Sequence, residues 1–185
     1  MRLTYGYDML IDVRDILKAS GLSKTVELET TAESCGIKAT ETECEFNETF
    51  YVLVELTNIK GMIRAKGEVR TGYVTFCARC LKPVHATVRS EFDDEYVRYG
   101  VPGSISFEET DVYEYSDKEI NIGYAIRDAV LLDLPIRRLC SEDCMSICPL
   151  CGKDLNDGPC RCEQPVGDIR FEALKTLLDN NGGEK

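Results

Sequence analysis

The chain is poor in positive charge and nearly without histidine. Its 185 residues carry 22 Lys and Arg against 33 Asp and Glu, a formal net charge of -11 at pH 7. A general nucleic-acid binder is normally basic, so this balance excludes indiscriminate attraction to polyphosphate. The one histidine, His85, sits five residues after Cys80 in an alternating stretch and reads as a surface or core side chain rather than a ligand or base. No apolar run approaches the length that crosses a bilayer, so no membrane partner is expected. Met1 to Asp8 lacks the apolar segment of a secretory signal. Both absences lead to the expectation of a cytoplasmic protein with reduced thiols. In that compartment clustered cysteines more often hold metal than form disulfides. No glycine-rich phosphate loop, nucleophile elbow or metalloprotease helix is present, and no catalytic activity is expected.

What the chain does have is cysteine. Six of its ten cysteines fall between Cys140 and Cys162, and Cys77-Ala78-Arg79-Cys80 lies well upstream. Cysteines two residues apart can turn both sulfurs toward one tetrahedral ion. Cys148-Pro149-Leu150-Cys151-Gly152 has the form of a metal knuckle whose Gly supplies a conformation other residues resist. Cys77, Cys80, Cys140, Cys144, Cys148, Cys151, Cys160 and Cys162 suffice for two four-cysteine zinc sites. The preferred pairing puts Cys77 and Cys80 with Cys140 and Cys144, and Cys148 and Cys151 with Cys160 and Cys162. Cys160-Arg161-Cys162 is awkward, because sulfurs one residue apart point to opposite faces of an extended chain unless a bend after Gly158-Pro159 redirects them. One zinc held by Cys77, Cys80, Cys148 and Cys151 is the rival set, so one or two ions remain open. Disulfides, or iron in place of zinc, are not excluded by spacing. A redox dithiol at Cys77 and Cys80 would need to open a helix, whereas Pro83 and a strand pattern follow. Cys35 and Cys44 read as half-buried thiols.

The periodicity gives an α+β protein: a twisted antiparallel sheet, curled toward a barrel, with two or three helices and the cysteine knuckles at one end. Residues 1–136 form the sheet body, with the first knuckle, an acidic loop and a long helix. Residues 137–185 form a cysteine-rich, zinc-ribbon-like segment and a final helix. Met9 to Ile11 starts as a strand and runs into a short helix ending at Gly21, with Val13, Ile16 and Leu17 at helical spacing and Asp12 as its cap. Strands are expected at Lys24–Thr30, Phe50–Ile59, Met62–Phe76 and Val84–Tyr96, with Gly67 and Gly72 as bends or bulges. Cys35–Glu48 reads as a turn and a poor strand. Ile120–Leu134 is the clearest helix, stopped by Pro135. A second amphipathic helix spans Asp168–Asp179, and the residues after it fray.

Charge is unevenly placed. From Glu91 to Glu119 there are ten acids and two bases, and Gly100–Lys118 reads as a solvated, mobile loop. Elsewhere bases flank the knuckles: Arg79 and Lys82, Arg137 and Arg138, Lys153 and Arg161, with Arg64, Lys66, Arg70 and Arg89 nearby. If the clusters converge, these make a basic face suited to RNA phosphates. The alternative is that they only offset Glu142, Asp143, Asp154 and Asp157.

The ordered run Cys77-Ala78-Arg79-Cys80-Leu81-Lys82-Pro83-Val84, the acidic Glu91–Tyr96, Leu131-Leu132-Asp133-Leu134-Pro135 and Cys140-Ser141-Glu142-Asp143-Cys144 resembles the YceD family, the large ribosomal RNA subunit accumulation proteins. The resemblance continues through Cys148–Asn156, Cys160 and Cys162, and Asp168-Ile169-Arg170. Two stretches depart from the family pattern. Met145-Ser146-Ile147 stands where the family usually has Lys-Gly-Leu, removing a turn glycine and one candidate RNA contact. Ile169 replaces a proline. The resemblance implies a non-enzymatic role in large-subunit ribosome biogenesis, supporting accumulation of 23S ribosomal RNA and its precursor, with a large-subunit ribosomal protein as a further partner. The leading expectation is a zinc-stabilised factor that presents Arg79, Lys82, Arg137, Arg138, Lys153 and Arg161 to RNA. The alternative is an acidic chaperone or adaptor that shields a basic ribosomal protein without touching RNA. Oligomeric state is not legible.

Overall fold

A computed structural model describes residues 9–98, 112–115 and 118–162. The chain forms two compact units, Met1–Cys140 and Ser141–Lys185.

The first unit is built on alternation. β3 (Phe50–Ile59) buries Phe50, Val52, Val54 and Leu56 and exposes Tyr51, Leu53 and Glu55 between them. It pairs on one side with β2 (Ser23–Thr30) and on the other with β4 (Met62–Phe76), both antiparallel. The β3–β4 turn has two residues, Lys60 and Gly61, with φ of 56° and 96°. Two consecutive positive-φ residues match the right-handed twist of the flanking strands. Asn58 Oδ1 accepts from the Gly61 amide at 2.7 Å and fixes that turn. β4 returns through a six-residue turn into β5 (Pro83–Arg98), in unbroken antiparallel register from Ile63 opposite Tyr96 to Phe76 opposite Pro83.

That register corrects the expected bulges: Gly67 and Gly72 sit in a continuous ladder. Gly67 is needed for close approach instead. A Cβ there would lie 2.6 Å from both the Leu53 carbonyl oxygen and Phe92 Cζ, because the Phe92 ring lies across it from β5.

The barrel expectation is also corrected. The sheet is open, in the order β2-β3-β4-β5-β6, and its last pair is parallel. β6 (Val112–Tyr115) falls inside the acidic stretch expected to be a loop. Its tyrosines explain the difference. Tyr113 stacks on Tyr96 with centroids 5.2 Å apart, and the Tyr115 hydroxyl donates to the Gly61 carbonyl at 3.0 Å. Aromatic packing on the sheet outweighs the local acidity. Residues 99–111 and 116–117, the rest of that loop, lie outside the described residues, as do the helix expected at 168–179 and the terminal residues.

The helix expected near Val13 is a single 3-10 turn, Ile16–Lys18. Asp12 Oδ1 accepts from the Arg14 amide at 2.9 Å, a local turn that competes with helix. The buried Asn58 Nδ2 donates to the Ile16 and Ala19 carbonyls at 2.9 and 3.2 Å, fixing the segment to β3. Within Cys35–Glu48, a short helix, α1 (Ala39–Thr42), replaces part of the expected turn, and Glu45 makes an isolated antiparallel bridge to Val74.

The long helix is shorter than its periodicity suggests. Glu119–Asn121 is strand β7, paired with β1 (Leu10–Asp12). α2 then runs Gly123–Asp133. Asn121 Oδ1 accepts from the Gly123 amide at 2.9 Å, an Asx-turn that leads from β7 into the helix. Leu134 is already extended ahead of Pro135. Ala125, Ile126, Ala129 and Val130 face the core with Val13, Ile16, Ile63, Tyr96 and Ile120. Two helices, both in the first unit, are present among the described residues.

The second unit is described over Ser141–Cys162. Its regular structure there is one bridge, Ile147 to Asp154, and a 3-10 turn, Leu155–Asp157. Burial is slight: among its described residues, Cys144 and Cys148 alone are buried.

Candidate metal centres

The two Cys-x-x-Cys segments use one backbone design. In the first, the Cys77 amide donates to the Lys82 carbonyl at 2.8 Å and the Leu81 amide to the Cys77 carbonyl at 2.9 Å. In the second, the Cys148 amide donates to Lys153 at 2.8 Å and the Gly152 amide to Cys148 at 2.9 Å. The residue after the second cysteine is left-handed in both, Leu81 at φ 61° and Gly152 at φ 72°. Leucine has no natural affinity for that conformation. Its presence means the knuckle, not the residue, dictates the backbone.

This turn aims N–H groups at the first sulfur. The Arg79 amide lies 3.5 Å from Cys77 Sγ. Burial raises the Cys77 thiol, but backbone N–H groups of Cys80, Arg79 and Cys140 together outweigh it and bring it down to about 6. Cys148 is likewise lowered to about 6, by the amides of Cys151 and Leu150 against a smaller effect of burial. Cys162 moves the other way, up to about 12, because its hydrogen bond to Cys151, burial and the neighbouring sulfur charges all favour its neutral form. The first knuckle joins two strands and opens no helix, so no helix dipole contributes to the lowering of Cys77.

The eight clustered cysteines come together in two groups of four: Cys77, Cys80, Cys140 and Cys144, and Cys148, Cys151, Cys160 and Cys162. Within each group the ligand atoms lie within 4.8 Å of one another. The rival four-cysteine set is divided between the two. Cys80 and Cys140 sulfurs are 3.5 Å apart, and Cys148 and Cys160 sulfurs 3.4 Å apart. Four thiolates about 2.3 Å from a tetrahedral ion stand about 3.8 Å from one another. The donor sets therefore fit a four-thiolate ion such as zinc or iron. The awkward Cys160-Arg161-Cys162 spacing is resolved by Gly158, at φ 119°, and a bend at Arg161. Cys35 and Cys44 are fully buried and belong to neither group. Cys35 faces Met9 Sδ at 3.5 Å, and burial raises its thiol to about 11.

Asn156 is a site residue that spacing did not reveal. Its Nδ2 lies 3.5 Å from Cys144 Sγ, its Oδ1 accepts from the Met145 amide at 2.7 Å, and Asp154 Oδ1 takes its Nδ2 at 2.6 Å. Outer partners of this kind hold a sulfur ligand in place and temper its charge. Asp154-Leu155-Asn156 stood in the sequence pattern, but nothing in its spacing says that it folds back onto Cys144. Ser146 occupies φ 68° at the position of the missing turn glycine, so the turn survives that departure under strain.

The basic residues differ in their surroundings. Lys82, Arg137, Lys153 and Arg161 are exposed, and Arg79 is half-buried. Lys153 Nζ donates to the Pro159 carbonyl at 3.0 Å, within its own loop. Arg138 is largely enclosed, its side chain 17 % exposed and 3.7 Å from Glu43. Its carbonyl accepts from the Ala78 amide at 2.8 Å, tying the chain after α2 to the first knuckle. Arg64 is clamped by Asp93 at 2.6 and 2.5 Å, and Arg89 by Glu68 at 2.6 Å.

Fold and site together define a strand-rich α+β protein carrying two four-cysteine knuckle groups fit for a structural metal. The chain belongs to the YceD family: the model of the large ribosomal RNA subunit accumulation protein YceD matches residues 65–178. An uncharacterized protein of Mycobacterium tuberculosis (strain ATCC 25618 / H37Rv) is 34% identical over 112 residues, covering 60% of this chain and 54% of that protein. The chloroplastic large ribosomal RNA subunit accumulation protein YCED homolog 1 of Zea mays is 26% identical over 140 residues, 60% of this chain and 48% of that protein. Its Arabidopsis thaliana counterpart is 24% identical over 176 residues, 80% and 55% of the respective chains. The chain thus spans about half the length of these relatives. No solved structure matches it. No helix among the described residues is long and apolar enough to cross a membrane.

Proposed function

We propose that the protein is a non-enzymatic factor in large-subunit ribosome biogenesis, acting on 23S ribosomal RNA or its precursor, with zinc in both four-cysteine groups. Family membership supports the biological role. The observation that carries the metal reading is the gathering of eight cysteines into two groups of ligand size. Closed four-cysteine sites are structural, so the ions would hold the knuckles rather than perform chemistry.

RNA contact falls to the exposed bases, Lys82, Arg137 and Arg161 first, with Arg79 and Lys153 beside them. Arg138 drops to a supporting role, because its side chain is enclosed and faces Glu43. The test has two arms. Elemental analysis of protein purified without chelator should return two zinc per chain. Binding to precursor 23S ribosomal RNA should weaken on charge reversal at Lys82 and Arg137, and its salt dependence should become shallower. Zinc near zero would sink the metal assignment, and RNA binding indifferent to K82E/R137E would sink the RNA assignment.

A further inference from the structure

The open sheet leaves one edge and one face without a partner among the described residues. Among the described residues β2 pairs with β3 alone, and none of its eight residues makes a backbone hydrogen bond to a described residue outside that ladder. On the outward face beside it, Glu27 stands opposite Leu53 and Glu29 opposite Tyr51. Tyr51 is 57% exposed and Leu53 41%, high for large apolar side chains. A groove of 530 Å³ runs between Glu27, Glu29, Tyr51 and Arg70, and a second of 480 Å³ between Thr25, Leu53, Glu55, Lys66 and Glu91. Glu68, which lines both, is neutralised by Arg89. Glu55 stands opposite Lys66 on β4, whereas Glu27 and Glu29 face Leu53 and Tyr51 and have no base opposite them on β3.

We propose that the β2 edge and this acidic outward strip dock a basic polypeptide segment as an added strand. An exposed strand edge supplies main-chain hydrogen bonds, and pockets for alternate side chains supply selectivity. Glu27 and Glu29 share a face at the two-residue period of a strand. Lys or Arg at alternate positions of the incoming strand meets them, and the apolar stems of those bases lie on Tyr51 and Leu53. The carboxylates disfavour a phosphate backbone on this face. A second copy of the chain would bring its own Glu27 and Glu29. The proposal does not rest on RNA binding or on metal content.

The test uses the full-length, metal-loaded protein and a labelled peptide alternating lysine and valine, long enough to run along β2, with fluorescence anisotropy as the readout. Binding should weaken about tenfold or more in E27K/E29K, a loss of favourable charge pairing across the contact. A matched charge change elsewhere, E33K/D133K, should leave it within about twofold. L53K keeps Glu27, Glu29 and the edge intact and should also weaken it. N-methylation of alternate peptide amides, which spares the charges, should weaken it as well. Equal loss in both double variants, or indifference to N-methylation, would overturn the proposal. So would displacement of the peptide by single-stranded RNA, or self-association of the chain that disappears in E27K/E29K. Circular dichroism of each variant separates lost docking from lost folding.

Discussion

Leu81 and Ser146 both hold left-handed backbone that costs an ordinary residue roughly 1–2 kcal/mol. Leu81 is 62% exposed and contributes little packing. L81G should therefore raise the stability of the metal-loaded protein by about 0.5–1 kcal/mol, the relieved strain less the extra freedom glycine has when unfolded. A thermal melt reads this as a higher midpoint, and an unchanged or lower one would contradict the strain. Asn156 works by contact rather than conformation. N156A removes the donor to Cys144 Sγ and the acceptor for Met145 N–H. It should lower affinity for one of two bound ions about 10-fold or more in chelator competition, as loss of outer-shell partners does. Spacing made every clustered cysteine a candidate. Asn156 was not legible because its partners depend on the path the chain takes after Gly152.

Strands were readable wherever one face is wet, because alternation then records the burial. β2, β3, β4 and β5 match their patterns closely. β6 and β7 did not announce themselves: one lies in an acidic stretch, and the other is three residues at the front of a helical pattern. Helix length was misread for a related reason. Ile120 and Ile122 fit a helical stripe, yet the pairing of β7 with β1 holds Glu119–Asn121 extended and the Asn121 Asx-turn follows it, so the helix begins only at Gly123. Two variants probe the elements. G67A forces a Cβ against the Leu53 carbonyl and the Phe92 ring, and should destabilise the sheet by about 1–3 kcal/mol, the usual range for overpacking. N58A strips hydrogen-bond partners from two carbonyls near the 3-10 turn and one amide of the β3–β4 turn. It should cost about 2–4 kcal/mol, because buried groups left unpaired carry their full desolvation penalty. Urea titration measures both, with the midpoint shift as the reading.

At the scale of the whole chain, two groups of four cysteines predict two separable metal ions. C148S/C151S should reduce the ion count from two to one, whereas a single shared site predicts loss of all metal. Elemental analysis decides between them. Acidification should release both ions, because each thiolate must take a proton to leave, and metal content followed against falling pH checks this.

By itself the sequence determined the eight candidate ligands, their division into pairs, the four long strands and the family. Those follow from local spacing and from an alternation imposed by one buried face. Only the tertiary structure decided which pairs share a group, because that depends on where the β4–β5 turn and the chain after α2 come to lie. Tertiary contacts also decided that the sheet stays open rather than closing into a barrel. No local pattern records whether two edge strands meet, so the β2 edge, unpaired among the described residues, and its acidic face could be seen only once the strands were placed.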